Sequence, residues 1–492
     1  MDRLSFRTLA RLPPAVARPR YDRRAVQTGI VHLGLGAFHR GHEAVYTEAA
    51  LAAGDLRWGI LGVAMRSPDV RDALAPQDGL YTVAARADES EALQVVGVLT
   101  GVRVAPEDPA GLVAAMADPR VAIVSLTVTE KGYGLDPASG DLDGGNADIR
   151  RDLETPETPR SALGLLTAAI ARRRSDDIAP FTVLCCDNLA SNGETLARLV
   201  RQFASLRDPA LARFIADEVA FPSTMLDRIV PATTEADRQH IAYRLGLIDR
   251  APVIAEAHNR WVVEDRFPGG RPDWASAGVD LVRDVAPYEA IKLKLLNASH
   301  SALAYLGYLA GHETIADATG DPDFRRFIEM MMDGEVLPTI RAPASVDAIG
   351  YRNEVIARFA NTAIRHRCAQ IAMDGSQKLP PRLLGTIRDR LASSAPFPRL
   401  ALAVAGWMRY VSGTDENGRA IDVRDPLSER LARIVRDAGP EPARLVSGLT
   451  AIIEIFGDDL ARDPRFITAV TQALEHLFEA GSQRAVAATL DA

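Results

Sequence analysis

Lysine is scarce in this chain: of 57 basic residues only Lys131, Lys292, Lys294 and Lys378 are lysines. A guanidinium effectively never gives up its proton and an ammonium can, so the positions that keep lysine are where proton transfer could be run. Two of the four lie in Tyr288-Glu289-Ala290-Ile291-Lys292-Leu293-Lys294-Leu295-Leu296-Asn297-Ala298-Ser299-His300. On an α-helix at 100° per residue, with Lys292 at zero, Glu289 falls at roughly 60°, His300 at roughly 80° and Asn297 at roughly 140°, while Lys294 points elsewhere. Apolar Leu293 and Leu296 would keep that face partly dry, and desolvation lowers a lysine pKa toward the range of a general base. A helix with a solvated polar stripe is the competing reading.

Gly34-Leu35-Gly36-Ala37-Phe38-His39-Arg40 follows an apolar run at 29–33, the strand-to-helix context of a dinucleotide fingerprint. Two glycines there let the backbone approach a pyrophosphate. His39 stands where the third glycine of that pattern would be, and Arg40 could add a cation beside the phosphates. A glycine turn with no ligand is the alternative. The carboxylate that grips an adenosine ribose belongs just past the second strand, where Asp69 lies; it would repel a 2′-phosphate and favour NAD, although Arg66 is close by. An exposed turn aspartate fits equally. Asn188 falls at the carboxyl end of a strand expected at 181–186, placed to donate to a developing oxyanion or to serve as a turn or N-cap. Glu130 and Lys131 end another strand, as a site rim or a surface turn. Arg367, Gln370 and Lys378 could clamp an anionic substrate, or belong to an ordinary turn between helices. No metal site is expected, since cysteine pairs of zinc spacing are missing and the histidines are scattered apart from His39 and His42.

These groups need a scaffold. Strands are expected at 58–64, 81–85, 93–98, 121–127 and 181–186, with helices at 161–174 and 193–204 and one running from the glycine turn to about residue 53. That order suggests a doubly wound α/β sheet. From about residue 287 onward only 3.6-period segments remain, so the expectation is an NAD-binding domain over 1–283 and a mostly α-helical substrate and catalytic domain over 284–492. The stretch 136–148 reads as a surface loop. With 65 acidic residues against those 57 bases and 47% hydrophobic residues, the composition is that of a folded soluble protein and argues against a nucleic-acid partner. A small molecule is the default ligand. No apolar stretch reaches the roughly 18 residues of a membrane span. Three cysteines, two of them adjacent, give no disulfide framework, and no export signal is visible, so the expected compartment is the cytoplasm.

The segments 30–40, 125–133, Cys186-Asp187-Asn188, 221–228 and Lys292 to His300 resemble the long-chain polyol dehydrogenases of the mannitol dehydrogenase family, and the likeness runs from about residue 20 to about residue 488. It implies a Rossmann-type doubly wound domain followed by a helical one, NAD as cofactor and metal-independent chemistry. Lys292 would be the general acid/base, Asn188 and Asn297 the oxyanion site, His300 an orienting group and Glu289 the point of proton exchange with solvent. Gly34, Gly36, Phe38, Arg40, Asp69 and Glu130 would serve the cofactor, and Asp227, Arg367, Gln370 and Lys378 the substrate. Mannitol dehydrogenases carry Arg where this chain has Gln370, which favours the branch that interconverts D-fructuronate and D-mannonate over one acting on neutral polyols such as mannitol or arabinitol. Ala190-Ser191 and the segment 256–260 depart from the family pattern and bear on substrate choice. A phosphogluconate-type hydroxyacid dehydrogenase would space its Lys and Asn four apart instead of five, and a non-catalytic NAD-binding sensor would have no reason to keep Lys292, Asn297 and His300 together. A monomer or small homo-oligomer is expected.

Overall fold

The computed structural model describes residues 1–490 except 89, 137–138 and 342–345; the side chains of Glu130 and Lys131 also lie outside the described residues. The chain divides into two compact units, Met1–Ala286 and Pro287–Ala492. The strands, in chain order, are β1 Thr28–Leu33, β2 Gly59–Ala64, β3 Tyr81–Ala87, β4 Ser90–Val96, β5 Leu99–Val104, β6 Ile123–Leu126, β7 Thr182–Cys185, β8 Thr224–Asp227, β9 Val253–Glu256, β10 Arg260–Glu264 and β11 Asp280–Val282, all in the first unit.

Five of them form a parallel sheet in the order β5-β2-β1-β6-β7. Counted along the chain this is 3-2-1-4-5, the doubly wound order, whose switch point falls between β1 and β6. The physical cause lies in the strand sequences, which are apolar on both faces. Val31, Val63, Val124 and Val183 feed one core, shared with helices Ala162–Ser175 and Asn192–Ser205. The alternating Ile30, Ile60, Ile123 and Leu184 feed the other.

Two expectations need correction. The strands expected at 81–85 and 93–98 do not join the parallel sheet: β3 and β4 pair antiparallel with Ala87 opposite Ser90, a link far too short for the crossover a parallel pair needs. With β9 they make a separate three-stranded sheet, as do β8, β10 and β11. The helix expected to run to residue 53 is broken at His42 (φ −129°, ψ −92°) into Ala37–Gly41 and Glu43–Ala52. The His42 ring lies against Phe38, Tyr46 and Trp261, and its Nε2 sits 3.2 Å from the Arg260 carbonyl oxygen.

The described part of the second unit is helical. Its middle helix, Pro398–Val411, is buried from Arg399 onward and packs between Ala298–Leu309 and Pro464–Ala480. Three short π-helical turns interrupt the α-helices, at Leu293–Asn297, Met332–Val336 and Pro380–Leu384. The first packs against both of the others.

Candidate active site

In the first unit the glycine turn closes β1 at the switch point. Gly34 has φ +97°, and a Cβ there would lie 2.1 Å from the Thr127 carbonyl oxygen, so the meeting of the β1 and β6 ends requires glycine. Gly36 is different. Its φ is −95° and an added Cβ would meet nothing nearer than the Gly34 carbonyl oxygen at 3.7 Å, so the fold itself does not demand glycine there. A residue kept bare where space is open fits the close backbone approach of a pyrophosphate.

Arg40 does not serve as the expected phosphate cation. It is buried, its guanidinium donates to the Gly36 and Ala251 carbonyls, and it lies over the Tyr81 ring. It braces the turn from within. Phe38 is half-buried and stacks on His42. Asp69 opens the helix Asp69–Leu74 on the surface and accepts the Ser67 hydroxyl at 2.5 Å. A cavity of about 310 Å³ is lined by Met65 and Arg66, which follow β2, and by Val128, Gly132 and Gly134, which follow β6. Glu130 belongs to the turn after β6, but its side chain lies outside the described residues.

Under the turn, the fold brings His32, His39 and Glu43 together, all fully buried, with potential ligand atoms within 4.8 Å of one another. Sequence spacing hides this group because His32 belongs to β1. His32 Nδ1 faces the Ser125 hydroxyl and Nε2 the Thr127 hydroxyl, both at 2.8 Å, and its ring stacks on His39 with centroids 3.5 Å apart. Both His32 nitrogens thus face hydroxyls, whereas buried His39 Nδ1 and Nε2 and Glu43 Oε1 have no hydrogen-bond partner among the described residues, and His39 Nε2 lies 3.6 Å from the Glu43 carboxylate. Burial holds His39 well below its ordinary pKa, so it is neutral.

Asn188 sits exposed in the turn after β7. Asn192 holds that turn: its side-chain amide donates to the Cys185, Asp187 and Thr224 carbonyls, and its oxygen accepts from Thr224 N at 2.9 Å. Thr224 starts β8, which ends at buried Asp227, with His258 Nε2 3.6 Å from the Asp227 carboxylate. His258 belongs to the segment 256–260 that departs from the family pattern.

In the second unit Lys292, Asn297 and His300 are all buried, and Glu289 is half-buried. The helical projection used above fails in one instructive way. Leu293–Asn297 is a π turn, with the Ala298 amide bonded to the Leu293 carbonyl five residues back. A π turn absorbs one extra residue, which removes roughly one 100° step, so Asn297 moves to roughly 40° and His300 to roughly 20° from Lys292. The four groups converge more tightly than a regular helix allows. Lys294 is spent on Asp389 at 2.6 Å and on Thr339.

The His300 ring packs edge-on against His366, with centroids 4.6 Å apart, and beside Phe359. Burial holds His300 well below its ordinary pKa, reinforced by His366, Arg382 and Lys378. His366 is held down to about 4 by burial and by the charges of Lys378 and Arg382. Buried His300 Nε2 and His366 Nδ1 have no hydrogen-bond partner among the described residues. Arg382, on the π turn Pro380–Leu384, donates to Ser301 Oγ at 3.0 Å and more distantly to the Asn297 carbonyl. Lys378 donates to the Ile371 carbonyl at 3.1 Å. The sequence assigned no role to His366 or Arg382, because nothing local marks either as facing residue 300. Arg367, expected with Lys378, is instead exposed with its guanidinium 3.6 Å from Glu313, and Gln370 is exposed on the short helix Cys368–Ile371.

A doubly wound sheet with an open glycine turn, accompanied by a helical unit holding a buried lysine beside an amide and an imidazole, is the equipment of an oxidoreductase. Profiles of the mannitol dehydrogenase Rossmann domain and C-terminal domain match residues 28–276 and 284–478, and the chain belongs to that family of enzymes acting on CH–OH groups. Among its relatives, D-mannonate oxidoreductase of Escherichia coli is 46% identical over 96% of this chain and 98% of its own. Mannitol 2-dehydrogenase of Aspergillus fumigatus is 38% identical over 97% of each. The ternary complex of Pseudomonas fluorescens mannitol 2-dehydrogenase with NAD and D-mannitol superposes with a TM-score of 0.94 at 35% identity, covering 99% of both chains.

Proposed function

We propose that this enzyme is NAD-dependent and interconverts a six-carbon keto-uronate and the corresponding aldonate, D-fructuronate and D-mannonate. The observation that carries the substrate class is the cationic surround of His300 and His366, formed by Lys378 and Arg382. Charge-assisted hydrogen bonds from such groups suit a carboxylate, and a neutral ketose would not use them. The relative named D-mannonate oxidoreductase supports the same reading.

The open space at Gly36 fits a dinucleotide, and NAD, when bound, takes up or returns hydrogen with its electron pair at the substrate carbon. The chain's own groups manage the oxygen. Lys292, partly dried by its neighbours, gives a proton to the carbonyl oxygen in reduction and removes it in oxidation. Asn297 supplies an amide donor as charge develops there, and Asn188 is assigned the same task. Neutral His300 orients the substrate, and half-buried Glu289 exchanges the proton with solvent. Asp69 disfavours a 2′-phosphate, and Asp227 contacts substrate hydroxyls.

A substrate panel followed by NADH absorbance tests this reading. A charge-assisted hydrogen bond is worth roughly 1.5 to 3 kcal/mol, so a substrate whose carboxylate accepts one from Lys378 or Arg382 should gain about tenfold or more in kcat/KM, fructuronate over fructose. Lys378→Met should hurt fructuronate far more than fructose. Equal or better turnover of fructose or mannitol would move the enzyme to neutral polyols.

A further inference from the structure

Asp187 stands between β7 and Asn188, and its carboxylate reaches across to the neighbouring turn after β6. One oxygen, Oδ2, accepts from three donors there: Val128 N at 2.8 Å, Thr129 N at 3.1 Å and the Tyr133 hydroxyl at 2.7 Å. Tyr133 is fully buried, and its hydroxyl also lies 3.3 Å from Cys185 Sγ. The bonding is concentrated on a strained point. Thr129 has φ +65° and ψ 158°, a region that is essentially glycine's, and a β-branched residue stays there only when its surroundings hold it. Two successive amides aimed at one carboxylate oxygen supply that hold. The same turn contributes Val128, Gly132 and Gly134 to the wall of the 310 Å³ cavity that Met65 and Arg66 also line. In the doubly wound fold, ligands bind outside these carboxyl ends of the strands.

We propose that Asp187 is a positioning residue for the cofactor: acting through the Val128 and Thr129 amides, it keeps the turn after β6 in the strained shape that nucleotide binding requires, and it ties that turn to the one carrying Asn188. The inference rests on the NAD reading. Nothing in it requires Asp187 to touch the cofactor. Burial raises the Asp187 pKa while the Tyr133, Val128 and Thr129 donors oppose that rise.

Glycine adopts the Thr129 conformation without strain, which makes a coupling test possible. NADH dissociation constants would be measured by fluorescence titration for the wild type, D187A, T129G and the double variant. D187A should weaken NADH about tenfold or more when Thr129 is present and less than about threefold when residue 129 is glycine. D187N, which keeps an oxygen to accept from the amides, should recover part of the loss. A role confined to general stability would lower the unfolding midpoint and weaken NADH equally in both backgrounds, and that result would overturn the proposal. So would a D187A enzyme that binds NADH as the wild type does. If D187A fails to fold, the same comparison is made with D187N and D187N/T129G. A wild-type enzyme that does not bind NADH would remove the cofactor reading and this inference with it.

Discussion

Lys292 is the residue whose chemistry the chain cannot obtain from arginine, the base it uses almost everywhere else. Lys292→Ala should lower the catalytic rate by roughly 10² to 10⁴, the usual contribution of a positioned proton donor, while NADH affinity stays nearly unchanged. Activity within threefold of wild type would refute the assignment. At this scale the sequence was informative where a residue type was rare or a face was shared, as for Lys292, Asn297 and His300. It was blind to direction. Arg40 and Arg367 looked like ligand cations from their neighbours in the chain, yet one turns inward onto backbone carbonyls and the other outward to Glu313. His366 and Arg382 lie 66 and 82 residues beyond His300 and meet it only through the folding of the second unit.

The π turn at Leu293–Asn297 is the element that sets Lys292, Asn297 and His300 on one face. Such turns arise where one residue is added to a helix, and removing it restores the regular pattern. Deleting Leu293 should therefore leave helical circular dichroism intact and keep Lys292 on the face of Asn297 and His300, since spacings of four and seven residues on a regular helix give the same roughly 40° and 20°, whereas inserting an alanine after Leu293 should turn Lys292 away by roughly 100° and cut activity to the level of Lys292→Ala. A deletion enzyme no more active than Lys292→Ala would refute this account of the turn. A projection at fixed pitch cannot reveal it, because no residue type marks a π turn. For a related reason the parallel strands β1, β2, β6 and β7 were legible as apolar runs, while β5, interrupted by Gly101 and Arg103, was not. β8 and β9, which run into the acidic Asp227 and Glu256, carry shorter apolar runs and were not separated from loop. The β3–β4 hairpin was read as two strands of the wrong sheet because periodicity reports that a strand exists, not which partner it takes.

For the molecule as a whole, buried neutral imidazoles make stability depend on acidity. In the folded chain His366 is depressed from 6.5 to about 4, so between those values the unfolded chain binds the extra proton and stability falls as pH falls. From pH 7 to 5 this one ring costs up to about 2 kcal/mol, an upper bound because the ring keeps some contact with solvent. His366→Gln should therefore lose less of its urea midpoint between pH 7 and 5 than the wild type does; equal losses would contradict the neutral buried ring.

The three cysteines give that unfolding a record. Cys185 and Cys186 lie in the first unit and Cys368 in the second, all buried, with burial pushing Cys185 and Cys368 up to about 12 and Cys186 well above its ordinary value. Only an exposed thiolate attacks a thiol reagent, so the native chain is nearly inert to such reagents and each tag counts an opening event. Because the adjacent pair sits in one unit and the single thiol in the other, the mass of a partly labelled molecule distinguishes which half came apart: two tags for the nucleotide side, one for the helical side.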